Sequence, residues 1–208
     1  MVTEYDEQFF DVIREGCRQS ADVVVPLVLS MIPVNSVADV GCGEGWWGKA
    51  FEDAGCAVVG IDGDYAEPVI PHIPCDLETE DPSVAAELAV CLEVAEHLPW
   101  TRAASFVRAL CEIAPTILFS AAIPGQGGTG HKNEQWPAYW VELFADNGYQ
   151  CSGALRHQIW EDDRVENWYR QNLIVASREP QAYPELFDTP MAKVLPLVHP
   201  VLYDARRS

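Results

Sequence analysis

Apolar and polar positions along the chain change period several times, and each change marks an element. Residues 3–19 carry Phe9, Phe10, Ile13 and Cys17 at helical spacing, which predicts an amphipathic helix. Residues 20–31 open with a serine suited to an N-cap and are apolar nearly all round. Pro26 lies inside, so this segment is either a kinked helix or two pieces. A short apolar run at 36–40 predicts a first strand. Residues 45–54 then form a helix stopped by Gly55, and 57–61 a second strand, apolar throughout like a central strand of a parallel sheet. Two prolines bound a short third strand within 71–78, and Asp81-Pro82-Ser83 predicts the start of a short helix. The fourth strand spans 88–94. An amphipathic helix over 101–114 buries Phe106, Val107, Leu110 and Ile113 and stops at Pro115, and a fifth strand covers 116–121. A helix over 137–147 ends at Gly148, and two strands at 149–155 and 173–176, joined by a long loop, complete the pattern. Strands alternating with helices predict an α/β fold built on a mostly parallel sheet.

The transition at 37–48, Val-Ala-Asp-Val-Gly-Cys-Gly-Glu-Gly-Trp-Trp-Gly, carries the most chemistry. A buried strand that stops at a glycine turn and feeds a helix is the first unit of an open α/β fold, whose ligands bind at the carboxyl ends of the strands. A dinucleotide fingerprint needs G-x-G-x-x-G. Here Trp46 stands where the third glycine belongs, and Gly45 falls one place early. Acids close the next strands: Asp62 (with Asp64 in reserve) before Gly63, Asp76 before Leu77, and Glu93 ahead of Ala95-Glu96-His97-Leu98-Pro99. An acid closing the second strand is placed to hold both ribose hydroxyls of a nucleoside.

The pattern Asp39-x-G-x-G-x-G, with Asp62, Asp76-Leu77 and the E-H-L-P segment, resembles the class I S-adenosylmethionine-dependent methyltransferases over roughly residues 20–178. The pieces H-K-N-E-Q-W and W-Y-R-Q-N resemble a subset of small bacterial and phage enzymes of the methyltransferase type 11/12 kind. The resemblance implies a Rossmann-like, seven-stranded, mostly parallel sheet with an antiparallel last strand and helices on both faces. It also implies S-adenosylmethionine as cofactor, with S-adenosylhomocysteine as product. Gly41, Cys42, Gly43, Gly45 and Trp46 would then meet its amino-acid end, with Asp39 steadying the loop or reaching that end through water, Asp62 and Gly63 its ribose, Asp76 and Leu77 its adenine, and Glu93 its methionine part. The helices within 1–32 would cover the pocket, with Tyr5 and Phe9 as lid candidates. The domain would span 1–178, leaving 179–208 as a proline-rich tail packed on the body, on a second subunit of a homodimer, or free.

Charge narrows the acceptor. The chain has 13 basic and 32 acidic residues, a net charge of -19, whereas nucleic-acid binding rests on Lys and Arg neutralising phosphates. A small-molecule acceptor is expected, methylated on O or N. The alternatives are a nucleic-acid methyltransferase and a non-catalytic nucleoside-binding protein. Seven tryptophans, most of them near the motifs, point to an aromatic or apolar acceptor. The seven cysteines are scattered singly and the histidines do not cluster with them, so neither a disulfide framework nor a metal site is expected. No apolar stretch approaches the ~20 residues that span a bilayer, and the acidic start lacks a signal peptide's basic region, so a cytoplasmic protein with no membrane partner is expected.

The glycine-rich loop after the fifth strand, residues 123–137, is the substrate-side candidate. His131 is the expected general base, with Glu134 and Tyr139 orienting it or the acceptor. A solvent-facing loop histidine is the competing reading. His97 is a weaker candidate on the same side.

Overall fold

The computed structural model describes the backbone of residues 7–65 and 67–205, and side chains from residue 14 onward. The apolar runs form strands β1 (Ser36–Val40), β2 (Ala57–Asp62), β3 (His72–Pro74), β4 (Leu88–Leu92), β5 (Thr116–Ser120), β6 (Gln150–Ser152) and β7 (Ile174–Ser177). They make one seven-stranded sheet in the order β3-β2-β1-β4-β5-β7-β6. The first five strands pair in parallel, and β7 is antiparallel to both β5 and β6. This is the Rossmann-like architecture expected, antiparallel last strand included. Order reverses at β1, between β2 and β4, so the crevice for a ligand opens at the glycine turn that follows β1.

Period-two alternation divides the apolar runs between two cores. Ala38, Val40, Ala89, Cys91, Ile117, Phe119, Ile174 and Ala176 face one side, under α3 (Ala103–Ile113) and α4 (Pro137–Asp146). Val37, Leu88, Val90, Leu118 and Val175 face the other, under α1 (Glu7–Met31), α2 (Trp46–Asp53) and α5 (Ala154–Ile159). Burial on both faces explains why these strands read as continuous apolar runs.

Four local expectations are corrected. The N-terminal region is one 25-residue helix, α1, rather than two pieces. Pro26 is tolerated because it lies on the solvent face, where water can satisfy the carbonyl it frees. Ser20 is no N-cap: buried within α1, it donates to the Gly16 carbonyl at 2.6 Å and accepts from the Glu166 amide at 2.9 Å. No helix begins at Asp81. Arg102 takes the Asp81 carboxylate at 2.6 Å and also donates to the carbonyls of Leu77 and Glu80, so the segment between β3 and β4 is pinned without forming a helix. The connection from β6 to β7 is not a loop: Gly153 ends the ladder, and α5 and α6 (Asn167–Asn172) follow.

The C-terminal segment holds α7 (Pro184–Phe187) and α8 (Pro200–Ala205) and is sewn to the body. Ser152 donates to the Leu186 carbonyl at 2.5 Å, the Gly153 amide to the Ala192 carbonyl at 2.8 Å, and the His199 amide to Gln171 Oε1 at 2.8 Å. No described helix is long and apolar enough to cross a membrane.

Candidate active site

The loop from β1 to α2 floors a cavity of about 610 Å³. Gly45 caps α2 in the left-handed region (φ 83°, ψ 19°), with no side chain serving as cap. A residue with a Cβ would be strained there by roughly 1–2 kcal/mol. At Gly41 (φ 76°) space is also short, since a Cβ would lie 2.3 Å from a Val94 methyl. The glycines thus leave bare backbone facing the cavity.

Asp39, expected among the binding residues, is not on the cavity wall. It lies beneath the loop, 4% exposed, and accepts from the Gly48 amide at 2.9 Å. Burial and the charge of Asp62 raise its pKa to about 7 against the relief from that amide. Its place is that of a brace between β1 and α2.

Asp62 closes β2 on the wall. Its Oδ2 accepts from the Gly43 amide at 2.7 Å, and its Oδ1 from the Gly63 amide at 2.7 Å and from the Tyr65 phenol. The carboxylate therefore already receives a hydroxyl from the cavity side. Asp76 and Leu77 also line the cavity, but the Asp76 carboxylate turns back on its own loop, accepting from the Glu78 amide and the Thr79 hydroxyl. Arg14 of α1 crosses the opening to a two-pronged pairing with Glu44, its Nε 2.9 Å from Oε2 and its Nη2 2.5 Å from Oε1, and Trp46 Nε1 donates to the same carboxylate. Of the helix expected to cover the pocket, Arg14 and Cys17 line the cavity. Tyr5 lies outside the described residues, as does the side chain of Phe9.

The far wall comes from the ends of β4 and β5. Glu93 has φ 54°, the one positive value among described non-glycine residues. Gln126 (2.8 Å) and Asn172 (3.0 Å) hold its carboxylate, and Gln171 donates to both of them. Three residues on, Glu96 is fully buried. Its Oε1 accepts from the Ala122 amide at 3.0 Å, and its Oε2 meets no donor among the described residues. Burial and the neighbouring Glu93 charge raise its pKa well above the ordinary range.

Next to it the rings of His97 and His131 meet edge to face, centroids 4.8 Å apart. Burial, then the proximity of His131, lowers the His97 pKa to about 4, although its ring donates to the Gly130 carbonyl. His131 Nδ1 lies 2.9 Å from Glu134 Oε1, and Glu134 also takes the Gly125 and Gly127 amides at 2.7 Å each. Burial alone would raise the Glu134 pKa; these hydrogen bonds outweigh it and hold the carboxylate below its usual value.

The fold therefore gathers Gly41, Cys42, Gly43, Gly45, Trp46, Asp62, Gly63, Asp76, Leu77, Glu93 and His131 around one cavity. Glu134 stands behind His131. Tyr139 does not reach the cavity: its ring packs on Trp140 beside the α4 core. The tryptophan argument also weakens, since Trp46, Trp47 and Trp168 line the cavity while Trp140 is in the core, Trp160 meets His199, and Trp136 is exposed. The sequence reading missed Gln126, Asn172 and the partnership of Glu96 with the two histidines. A short E-x-x-E-H run was its only visible trace.

No protein-family model matches the chain, and no curated protein matches its sequence. Its structure is similar to those of known methyltransferases. The magnesium protoporphyrin IX methyltransferase of Synechocystis, with bound SAH, superposes with a TM-score of 0.59 at 20% identity, covering 84% of this chain and 89% of that one. The sugar N-methyltransferase of a Streptoalloteichus species gives 0.63 at 15% identity, covering 83% and 92%. The SAM-bound amino pentose methyltransferase of Micromonospora echinaspora gives 0.59 at 17% identity, covering 84% and 98%. The chain has the class I methyltransferase fold.

Proposed function

We propose that the chain binds S-adenosylmethionine in this cavity and transfers its methyl group to an oxygen or nitrogen of a small-molecule acceptor. The observation that carries the reading is an acidic cavity, floored by glycine backbone, at the point where strand order reverses. Glu44, Asp62, Asp76, Glu78 and Glu93 line it, and its Arg14 is already paired. Such a lining suits a cationic sulfonium and disfavours the phosphates of a dinucleotide or a polynucleotide. The hydroxyl that Asp62 already accepts from Tyr65 supports its role toward the ribose. The three similar structures are methyltransferases of a magnesium porphyrin and of sugars, two of them with the donor or its product bound.

When bound, the donor supplies an electrophilic methyl on a sulfonium that is itself a good leaving group. The chain's task is alignment and exclusion of water. The glycine loop meets the amino-acid end, Asp62 the ribose, and the Asp76-Leu77 turn the adenine. Arg14 and Glu44 close α1 over the opening. His97 and His131 face the acceptor. Glu134 takes the Nδ1–H of His131 and leaves Nε2 with a lone pair. That lone pair can take the acceptor's proton directly, or bind a cation that acidifies the acceptor.

Calorimetry with S-adenosylmethionine, S-adenosylhomocysteine and NAD tests the reading, with heat expected from the first two alone. Asp62→Ala should weaken donor binding by about 1.5–3 kcal/mol, the worth of a charged hydrogen-bond partner. Unchanged affinity removes Asp62 from the site, and silence with both sulfur ligands ends the proposal. Binding without turnover over a panel of hydroxyl and amine acceptors would favour a nucleoside-binding protein without catalysis.

A further inference from the structure

Glu96, His97 and His131 each offer one donor atom, and these atoms lie within 4.8 Å of one another. We infer that the three side chains form a binding site for a divalent transition-metal cation on the acceptor side of the cavity. The inference rests on the reading that this cavity takes a methyl donor, and it specifies what the acceptor meets there.

Three observations converge. The first is the Glu96 carboxylate. It is fully buried on the cavity wall, its Oε1 is satisfied by the Ala122 amide, and its Oε2 meets no donor among the described residues. The side chain that bonds the Glu96 carboxyl is a second carboxyl, that of Glu93, and a cation relieves such a buried acid pair in the form that carboxylates bind best.

The second is the state of the histidines. His131 is fixed through Nδ1 by Glu134, and the His97 ring donates a hydrogen bond to the Gly130 carbonyl. A neutral imidazole that donates through one nitrogen carries its lone pair on the other. Metal-binding imidazoles are oriented in just this way, by a carboxylate or carbonyl behind the ring. At His131 the ring edge that carries Nε2 lies against Gly128, where any side chain would collide with it, a Cβ falling 2.3 Å from Nε2.

The third is the surrounding charge. Glu93, whose carboxylate acts on Glu96, faces the site from β4's end, and Glu134 stands behind His131. Lys132 is the cation nearby, and it is drawn to Glu78. The field is negative where a cation would sit.

Two imidazoles and a carboxylate suit manganese, iron, cobalt or zinc in the divalent state rather than calcium or magnesium. Bonds of roughly 2.0–2.2 Å keep donor atoms within about 4.4 Å of each other. Neighbouring donors on such an ion stand about 3–3.6 Å apart, so side-chain rotations that move these atoms by about an ångström close the set. Three protein donors leave two or three positions open on a five- or six-coordinate ion. The acceptor class that fills them carries two adjacent oxygens, as in a vicinal diol or a catechol. A hydroxyl bound to the ion ionises by losing its proton to water. Its oxygen then forms the bond to the methyl carbon as the carbon–sulfur bond breaks, and that bond's electrons remain on sulfur.

Cobalt(II) titration of chelator-treated protein tests the site, read by its visible ligand-field bands, with manganese(II) electron paramagnetic resonance as a second probe. One equivalent should bind in wild type. Glu96→Gln and His131→Ala should each weaken uptake by about 10–100-fold or more, while calorimetric affinity for S-adenosylmethionine shifts less than about twofold. His131 sits on a loop, so its variant serves if Glu96→Gln does not fold. If the donor binds but neither cation is taken up, or if both variants take up cobalt like wild type, the metal site is overturned and the cofactor reading stands. If cobalt binds in the stated pattern and the donor does not, the site stands and the cofactor reading falls.

Discussion

Asp39→Asn should reverse much of the protein's loss of stability between mildly acidic and mildly alkaline pH. The native carboxyl titrates at about 7 against an ordinary 3.8, because burial and Asp62 oppose its charge more than the Gly48 amide relieves it. Between those values the folded chain holds a proton at Asp39 that the unfolded chain has released. Stability is therefore highest below about pH 4 as far as this group is concerned, and it falls as pH rises toward and through 7. About three units at 1.36 kcal/mol each amount to roughly 4 kcal/mol. Asparagine keeps an oxygen for Gly48 and does not titrate, though its amide needs a partner at a pH-independent cost of about 1–3 kcal/mol. Glu96 and the other acids that do not act on Asp39 titrate alike in both proteins and cancel in the difference. Urea unfolding of both proteins near pH 5 and near pH 8 gives that difference. It should move in favour of the variant by about 2–4 kcal/mol on going to the higher pH. A difference flat to within about 1 kcal/mol would mean that Asp39 is not held near neutrality, and the account of it as a buried brace would fail.

Two further predictions concern the scaffold. The Tyr149 hydroxyl donates to the carbonyls of Ala114 (2.5 Å) and Cys111 (3.0 Å) at the end of α3; Tyr149→Phe should cost about 1–3 kcal/mol in urea unfolding, and no change would show those carbonyls satisfied by water. Arg156, fully buried, donates to the carbonyls of Gln171 and Leu195; Arg156→Ala should let chymotrypsin cut within residues 188–205 at least tenfold faster than in wild type, and an equal rate would mean that the segment is held elsewhere.

Where a function depends on neighbours in the sequence, this chain states it openly. The run from Asp39 to Gly48 shows its strand, its turn and its helix because the strand's burial, the glycines and the helix act within a dozen residues. Asp62 was legible as the acid closing β2 for the same reason. The failures share the opposite cause. Asp81-Pro82-Ser83 has the chemistry of a helix start, yet a side chain about twenty residues on, Arg102, takes the cap carboxylate and two carbonyls. Leu155 and its neighbours read as strand because their apolarity is real, but it is buried by a helical face of α5. Tyr139 was drawn to the site by its place in a polar and aromatic cluster, whereas the turn of α4 sends it toward Trp140.

The far wall of the site shows why the acceptor side is harder to read than the cofactor side. Glu93 leaves β4 with a positive φ, a conformation that costs a non-glycine residue about 1–2 kcal/mol. It is held there by Gln126 after β5 and by Asn172 at the end of α6. Gln171 donates to both, and its own Oε1 takes the His199 amide of the C-terminal segment. The strain thus lies in one residue and its compensation in three other segments. The same departure from strand geometry brings Glu96 and His97 round to meet His131. Those bonds, with the Glu93 amide held by Ser120, tie one residue's conformation to segments far apart in the chain. The wall is a property of the assembled chain, and the C-terminal segment is part of its support.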